Sequence, residues 1–247
     1  MNICSDAIQP IFSWHTRVAT TDVGPDRLLT PSAQLRYQQE AGELHFGEGG
    51  LGFDAIAALG MAFLVLQNNC VIYRRPASGE EIVVKTWSHS VKGIKFYRCY
   101  RFEDAAGNLL IDSKAVFALV DVKAHTLLRP SAFPYDVPHV TDAPHTCADM
   151  PRLKAATDDA RIAQHTVTYS QLDFNRHLNN TRYADIVFDA VGEEKLADLT
   201  GFSIVFSHEA KLHDTLDIYQ TVTEQGHTLI TAQNGEQTCF IAELRNT

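Results

Sequence analysis

Two stretches of the chain carry the same succession of hydrophobic patterns. From Phe12 the residues FSWHTRV alternate as a half-buried strand does. A helical pattern follows from about Pro31 to Gly47, and a shorter one from Phe53 to Gly60. Then come four strand-like runs, AFLVLQNNCVIYR, EEIVVKTWSHSV, KFYRCYRFED and NLLIDSKAVFALVDV, with Asp104-Ala-Ala-Gly107 as a hairpin connection between the last two. A Pro- and Asp-rich stretch over 134–152 has no periodicity and reads as a linker. Beyond it the order returns: a strand in ARIAQHTVTYS, a helix from Asn180, and strands in FSIVFSHEA, TLDIYQTVTEQ, HTLITAQNG and QTCFIAEL. The dipeptides Arg36-Tyr37 and Arg182-Tyr183 take equivalent places, and the run from Gly79 answers to the run from Asp214. A long helix followed by an antiparallel meander can bury its apolar stripe only against one face of that sheet, which predicts an α+β fold. The expected division is an N-terminal domain over 1–135, a linker over 136–158 and a C-terminal domain over 159–247.

The second helix has the cleaner stripe. Tyr183, Ile186, Val187, Ala190 and Val191 recur with helical spacing, and Asn179 or Asn180 is placed to cap the first turn. Just ahead lies DFNRHLNN, with Asp173, Asn175 and His177 at every second position. In an extended segment these three point to one side. They also precede a helix start, where free amides and the positive dipole end favour developing negative charge.

Composition narrows the function classes. The 247 residues are 45% hydrophobic and 21% charged, enough for one large or two small cores. A net charge of −9 argues against a nucleic-acid partner, which calls for a basic face. No run approaches the roughly 18–20 apolar residues of a membrane span, and MNICSDAIQP lacks the marks of a signal peptide, so a cytoplasmic location is expected. Cys4, Cys70, Cys99, Cys147 and Cys239 are scattered without metal-binding spacing and are expected as reduced thiols. His165, His208 and His213 likewise form no recognisable zinc pattern. Gly47-x-Gly49-x-x-Gly52 matches a dinucleotide fingerprint in letters, yet it follows a helix and not a strand. No G-x-S-x-G elbow occurs.

The stretch LDFNRHLNNTRYADIVFDAV fits an Asp-x-Asn-x-His-x-Asn-Asn pattern, and IYRRPASGEEIVVKTW with FEDAAGNLLIDSKAVFALVD, ending in LLRPSAF, adds to the match. On these residues, from about Phe12 to Leu244, the chain resembles the acyl-acyl carrier protein (acyl-ACP) thioesterases. The resemblance implies a tandem, double hotdog fold, in which each repeat is a long helix wrapped by an antiparallel sheet. It implies hydrolysis of fatty acyl-ACP in fatty acid biosynthesis, releasing free fatty acid and holo-ACP, with no metal and no dissociable cofactor. The expected partner is acyl carrier protein bearing a phosphopantetheine-linked acyl chain. Carried over by position, the catalytic group is Asp173, Asn175, His177 and Glu209, the last on the strand after the helix. Plant members commonly follow that acid with Cys. Here Ala210 follows, which removes a thiol from the chemistry and favours acid-base hydrolysis.

The same resemblance assigns the acyl pocket to the N-terminal repeat, with Leu35, Leu44, Phe63 and Val65 as lining residues. Carrier proteins are acidic, so Arg74, Arg75, Lys92, Lys95, Arg98 and Arg101 are expected as a docking surface. The pair His45-Phe46 is shared with hotdog dehydratases but lacks the prolines expected after it. Two rival functions stand beside the hydrolase: a thioesterase for acyl-coenzyme A, and a non-catalytic acyl-binding hotdog protein. Two fused repeats already supply the pairing a single hotdog seeks, and an exposed sheet edge leaves a homodimer open.

Overall fold

The structure is a computed structural model that describes residues 3–4, 8–144, 152–156 and 161–246. Much of the expected linker, with Cys147, lies outside the described residues. The chain forms two compact units, Met1–Leu66 with Tyr73–Ala148, and Gln67–Ile72 with Asp149–Thr247.

In the first unit β1 (Ile3–Cys4) is followed by β2 (Phe12–Arg17), α1 (Pro31–Glu48), α2 (Phe53–Ala58) and β3 (Met61–Ile72). Then come β4 (Glu81–Lys92), β5 (Lys95–Asp104), β6 (Leu109–Asp121), β7 (Thr126–Leu127) and β8 (Tyr135–Asp136). The sheet order is β2-β4-β5-β6-β3, β7 pairs with β6, and β1 pairs in parallel with β8. Helix α1 starts because Pro31 suits the first helical position and the Thr30 hydroxyl accepts from the Ala33 amide at 3.1 Å. Its buried face mixes Ala33, Leu35, Tyr37 and Ala41 with polar Ser32, Gln34, Gln38 and His45.

The second unit contains β9 (Arg161–Thr166), α3 (Arg182–Val191), α4 (Glu194–Ala197), β10 (Leu199–Phe206), β11 (Thr215–Val222), β12 (Thr228–Asn234) and β13 (Gln237–Asn246). The Gln67–Ile72 half of β3 belongs here because it pairs with β10, Val205 opposite Gln67 and Gly201 opposite Val71. From that edge the order runs β10-β13-β12-β11-β9. Arg245 reinforces the pairing through the Asn69 side chain at 2.9 Å and the Cys70 carbonyl at 2.8 Å. Helix α3 buries Tyr183, Ala184, Ile186, Val187 and Phe188, with Tyr183 edge-on to Phe206 and Phe240. Phe202, Ile204, Leu216, Ile218 and Ile230 complete that core, each worth about 1.5–3 kcal/mol of burial.

Several expectations are corrected. Helix α3 begins at Arg182, not Asn180, because the Asn179 side chain is taken up by Thr181, accepting from its amide at 2.9 Å and its hydroxyl at 2.8 Å. Tyr183 therefore sits in the first turn of α3, whereas Tyr37 is well inside α1, so those dipeptides are not equivalent. Strand β10 stops at Phe206, which leaves Glu209 in the connection that follows.

Candidate functional site

The site is built where two connections of the second unit are zipped together. One is Asp173–Leu178, ahead of α3, and the other is Ser207–Asp214, between β10 and β11. The Asp173 amide donates to the His177 carbonyl at 2.8 Å, and the Arg176 amide donates to the Asp173 carbonyl at 3.0 Å. These bonds close a tight turn in which Arg176 takes φ 66°, a left-handed conformation that non-glycine residues rarely adopt. The segment is thus a turn and not the extended run that the alternation of Asp173, Asn175 and His177 suggested. Asp173 fastens it: its Oδ1 accepts from the His177 amide at 3.1 Å.

From there the chain pairs across. The Leu178 amide donates to the Ala210 carbonyl at 2.8 Å, and His177 stands opposite Lys211 in a short antiparallel bridge. In that register residue 209, two positions from Lys211, falls on the same face as His177 and diagonal to it, and His177 Nε2 lies 3.2 Å from Glu209 Oε2. The imidazole side chain is 28% exposed and the carboxylate 55%, so both are open to a substrate. With Glu209 ionised, Nε2 carries the proton donated to it and Nδ1 keeps a lone pair. The pair can therefore pass a proton between solvent and a reacting group.

Beneath the pair sits Tyr183, which sequence reasoning placed only in the apolar stripe. Its hydroxyl takes a hydrogen bond from the Ala210 backbone. Burial is the main reason its pKa is raised, with the nearby charges of Cys239, Glu209 and Asp173 acting the same way. The phenol stays protonated and props the segment that presents Glu209. The only sequence sign of this role was a Tyr within an otherwise aliphatic stripe. Asn175 projects from the exposed tip of the turn. Among the described residues no cluster of three or more His, Cys, Asp or Glu is arranged to hold a metal ion.

The remaining expected residues belong to the first unit. Leu35 is buried on α1, while Leu44, Phe63 and Val65 are half-buried. Phe63 meets Phe96 at 5.1 Å and Phe133 at 5.3 Å between ring centres. Of the six basic residues, Arg75 and Arg98 are 6% and 7% exposed, and burial removes both from any docking surface. Arg74 forms a two-pronged ion pair with Glu80, and Arg101 donates to the Pro144 carbonyl and pairs with Glu103. Lys92 lies over the Tyr97 ring at 5.5 Å, and Lys95 is half-exposed.

Residues 11–131 match the model of the acyl-ACP thioesterase N-terminal domain, and residues 154–243 match that of its C-terminal domain. The chain belongs to the acyl-ACP thioesterase family. A chloroplastic acyl-ACP hydrolase of Cuphea viscosissima is 22% identical over 81% of this chain and 51% of its own length. A chloroplastic dodecanoyl-ACP hydrolase of Umbellularia californica is 21% identical over 83% of this chain and 58% of its own. The chain thus spans about half the length of the curated relatives it matches. Among solved structures, an acyl-ACP thioesterase of Bacteroides thetaiotaomicron superposes with a TM-score of 0.87 at 17% identity, over 95% of this chain and 97% of that one. A 12:0-ACP thioesterase of Umbellularia californica superposes at 0.79 and 19% identity, over 97% and 98%. These likenesses show the hotdog fold expected for the family.

Proposed function

We propose that this chain hydrolyses the thioester of fatty acyl-ACP, releasing free fatty acid and holo-ACP. The observation that carries the reading is the His177–Glu209 pair, held at 3.2 Å by the Leu178–Ala210 backbone bond in a chain that belongs to the family. Water attacks the thioester carbon while Glu209, or His177 through its free nitrogen, takes the water proton. The carbon–sulfur bond then breaks, and the same proton is returned to the departing thiolate. Asp173 acts on this step by fixing the turn that bears His177, and Asn175 is placed to orient the water or the carbonyl. General acid-base groups of this kind are worth roughly 10²- to 10⁴-fold in rate.

The first unit is read as the acyl pocket, with Leu35, Leu44, Phe63 and Val65 among its walls; the half-open aromatic group around Phe63 supports this. Of the basic residues, Lys92 and Lys95 keep the strongest claim to carrier docking, since Arg74 and Arg101 are already paired. A cytoplasmic setting belongs to the same reading. Among the described residues no helix is long and apolar enough to cross a membrane.

The test is thiol release from a ladder of acyl-ACPs and the matching coenzyme A esters. Turnover of carrier esters that is weakened by Lys92→Glu with Lys95→Glu, while coenzyme A esters are spared, supports the full reading. Equal use of both carriers supports a thioesterase for acyl-coenzyme A instead. Absence of turnover on every ester by the folded protein overturns the hydrolase and leaves an acyl-binding protein.

A further inference from the structure

The first unit buries a positive charge that has no negative partner among the described residues. Arg98, on β5, is 7% exposed, and no carboxylate among the described residues pairs with it. Its Nη1 donates to His45 Nδ1 at 3.0 Å and to the Thr86 hydroxyl at 3.2 Å, and its guanidinium stands 4.5 Å over the Phe46 ring. His45 cannot supply the missing charge. Its Nε2 lies 2.6 Å from the Gln9 carbonyl, which only accepts, so Nε2 carries the proton and Nδ1 is the neutral acceptor. A buried charge compensated only by neutral groups is costly.

A second group faces the same place. Tyr100 is two residues further along β5 and so on the same face, and it is 2% exposed. Both lie under Gly42 of α1, where a side-chain carbon would stand 3.4 Å from the Tyr100 hydroxyl and 3.8 Å from Arg98 Cδ. The absence of a side chain there lets α1 pack directly over these two side chains. On one flank the surroundings turn apolar: Phe46, Phe63 and Phe96 pack together, each only partly buried. A cation and a phenol donor next to half-open aromatic rings suit one ligand chemistry, an aliphatic chain that ends in a carboxylate.

The geometry points to Arg98 and Tyr100 as a binding site for the carboxylate end of an aliphatic chain lodged against Phe46, Phe63 and Phe96. This deepens the reading of the first unit as an acyl pocket and rests on it. Two sources share the chemistry: the free fatty acid, and the far end of an acyl chain that carries a second carboxyl group.

Calorimetric titration of the whole chain with dodecanoate and with dodecanol reads the site without any turnover, so its result is independent of whether the thioester is hydrolysed. The wild type is expected to prefer dodecanoate by about tenfold or more, the worth of one charge-assisted contact. In Arg98→Met that preference should fall to about twofold or less, while Tyr100→Phe should lower it severalfold. Arg98→Met removes an unbalanced buried charge, so its melting temperature is expected to match or exceed the wild type. No preference in the wild type overturns the proposal without reference to any variant. A preference that survives in folded Arg98→Met overturns it as well. The two sources are then separated with the carrier monothioester of dodecanedioate. Faster turnover of that ester than of the dodecanoyl ester assigns the carboxylate to the substrate's far end. Inhibition by dodecanoate that Arg98→Met relieves, with no such preference, assigns it to the free acid. Both results uphold the site, and in a chain that turns over the dodecanoyl ester neither effect appearing overturns it.

Discussion

The two units contain the same turn with different chemistry in it. In the first, the Gly24 amide bonds the Leu28 carbonyl, the Leu29 amide bonds the Pro76 carbonyl, and the Val18 amide bonds the Glu80 carbonyl. In the second, Asp173 bonds His177, Leu178 bonds Ala210, and Val167 bonds Asp214 in the same senses. Arg27 and Arg176 hold the left-handed position of the two turns, at φ 62° and 66°. The Ala77 amide bonds the Glu80 carboxylate as the Lys211 amide bonds that of Asp214, both at 2.8 Å. By this match Gly24, Asp26, Leu28 and Arg75 occupy the places of Asp173, Asn175, His177 and Glu209. The first turn has spent those places on structure, with Arg75 turned inward to pair with Asp26 and bond the Leu29 carbonyl. One backbone device thus serves two ends, and only the second turn sets an imidazole beside a carboxylate at these places.

The interiors differ in the opposite direction. Helix α3 buries an apolar face, while α1 buries Gln34, Gln38 and His45 and faces Arg98 and Tyr100 on the sheet. The unit without the His177–Glu209 pair has the polar interior. That suits a division in which one repeat does chemistry and the other holds a ligand with a polar end.

The comparison can be broken most severely at His177. His177→Ala should lower turnover of acyl-ACP by roughly 10²- to 10⁴-fold, whereas Leu28→Ala at the matching place should leave turnover per folded molecule unchanged. Thiol-release kinetics on the two variants checks this.

Next in size is an acid sensitivity confined to the first unit. Burial first, and the charge of Arg98 second, hold His45 down to about 4 from the ordinary 6.5. As pH falls the unfolded chain takes up this proton before the folded one, so the stabilisation is complete above 6.5 and is lost progressively toward 4. The loss should reach about 2–3 kcal/mol, and melting curves of wild type and His45→Gln across that window should converge as pH falls.

Arg75→Met leaves Asp26 without its partner and should cost about 1–3 kcal/mol in denaturant unfolding, with activity per folded molecule retained. Smallest is the relief of the left-handed residues. Arg27→Gly and Arg176→Gly should each stabilise by about 1 kcal/mol at most, and only Arg176→Gly, next to His177, should also change kcat.

Much of this was legible in the sequence, for identifiable reasons. The strand-like run KFYRCYRFED located β5 at Lys95–Asp104 to the residue, and the helical pattern from about Pro31 to Gly47 located α1 to within a residue. The Asp-x-Asn-x-His run located the turn, but its period of two suggested an extended segment. Periodicity carries no information about a backbone closed by Asp173 and turned at Arg176. The repeat was visible as an order of elements, yet its register was read from the wrong letters. Glu80, not Gly79, matches Asp214, since register is set by backbone bonds such as Val18 to Glu80. Arg75 and Arg98 looked like surface charge because a charged letter on a strand gives no sign of facing inward. Tyr183 passed as core because its hydroxyl bonds a backbone amide that only the fold brings near.

The most direct test places one substitution at the same register position in each turn. Single-turnover thiol release from an acyl-ACP is measured for Glu209→Gln and for Arg75→Gln, each corrected for folded fraction. A loss of about 100-fold or more in Glu209→Gln, with Arg75→Gln within about twofold of wild type, is the predicted result. Comparable losses in both, or a loss confined to Arg75→Gln, would contradict the assignment of the chemistry to the second unit.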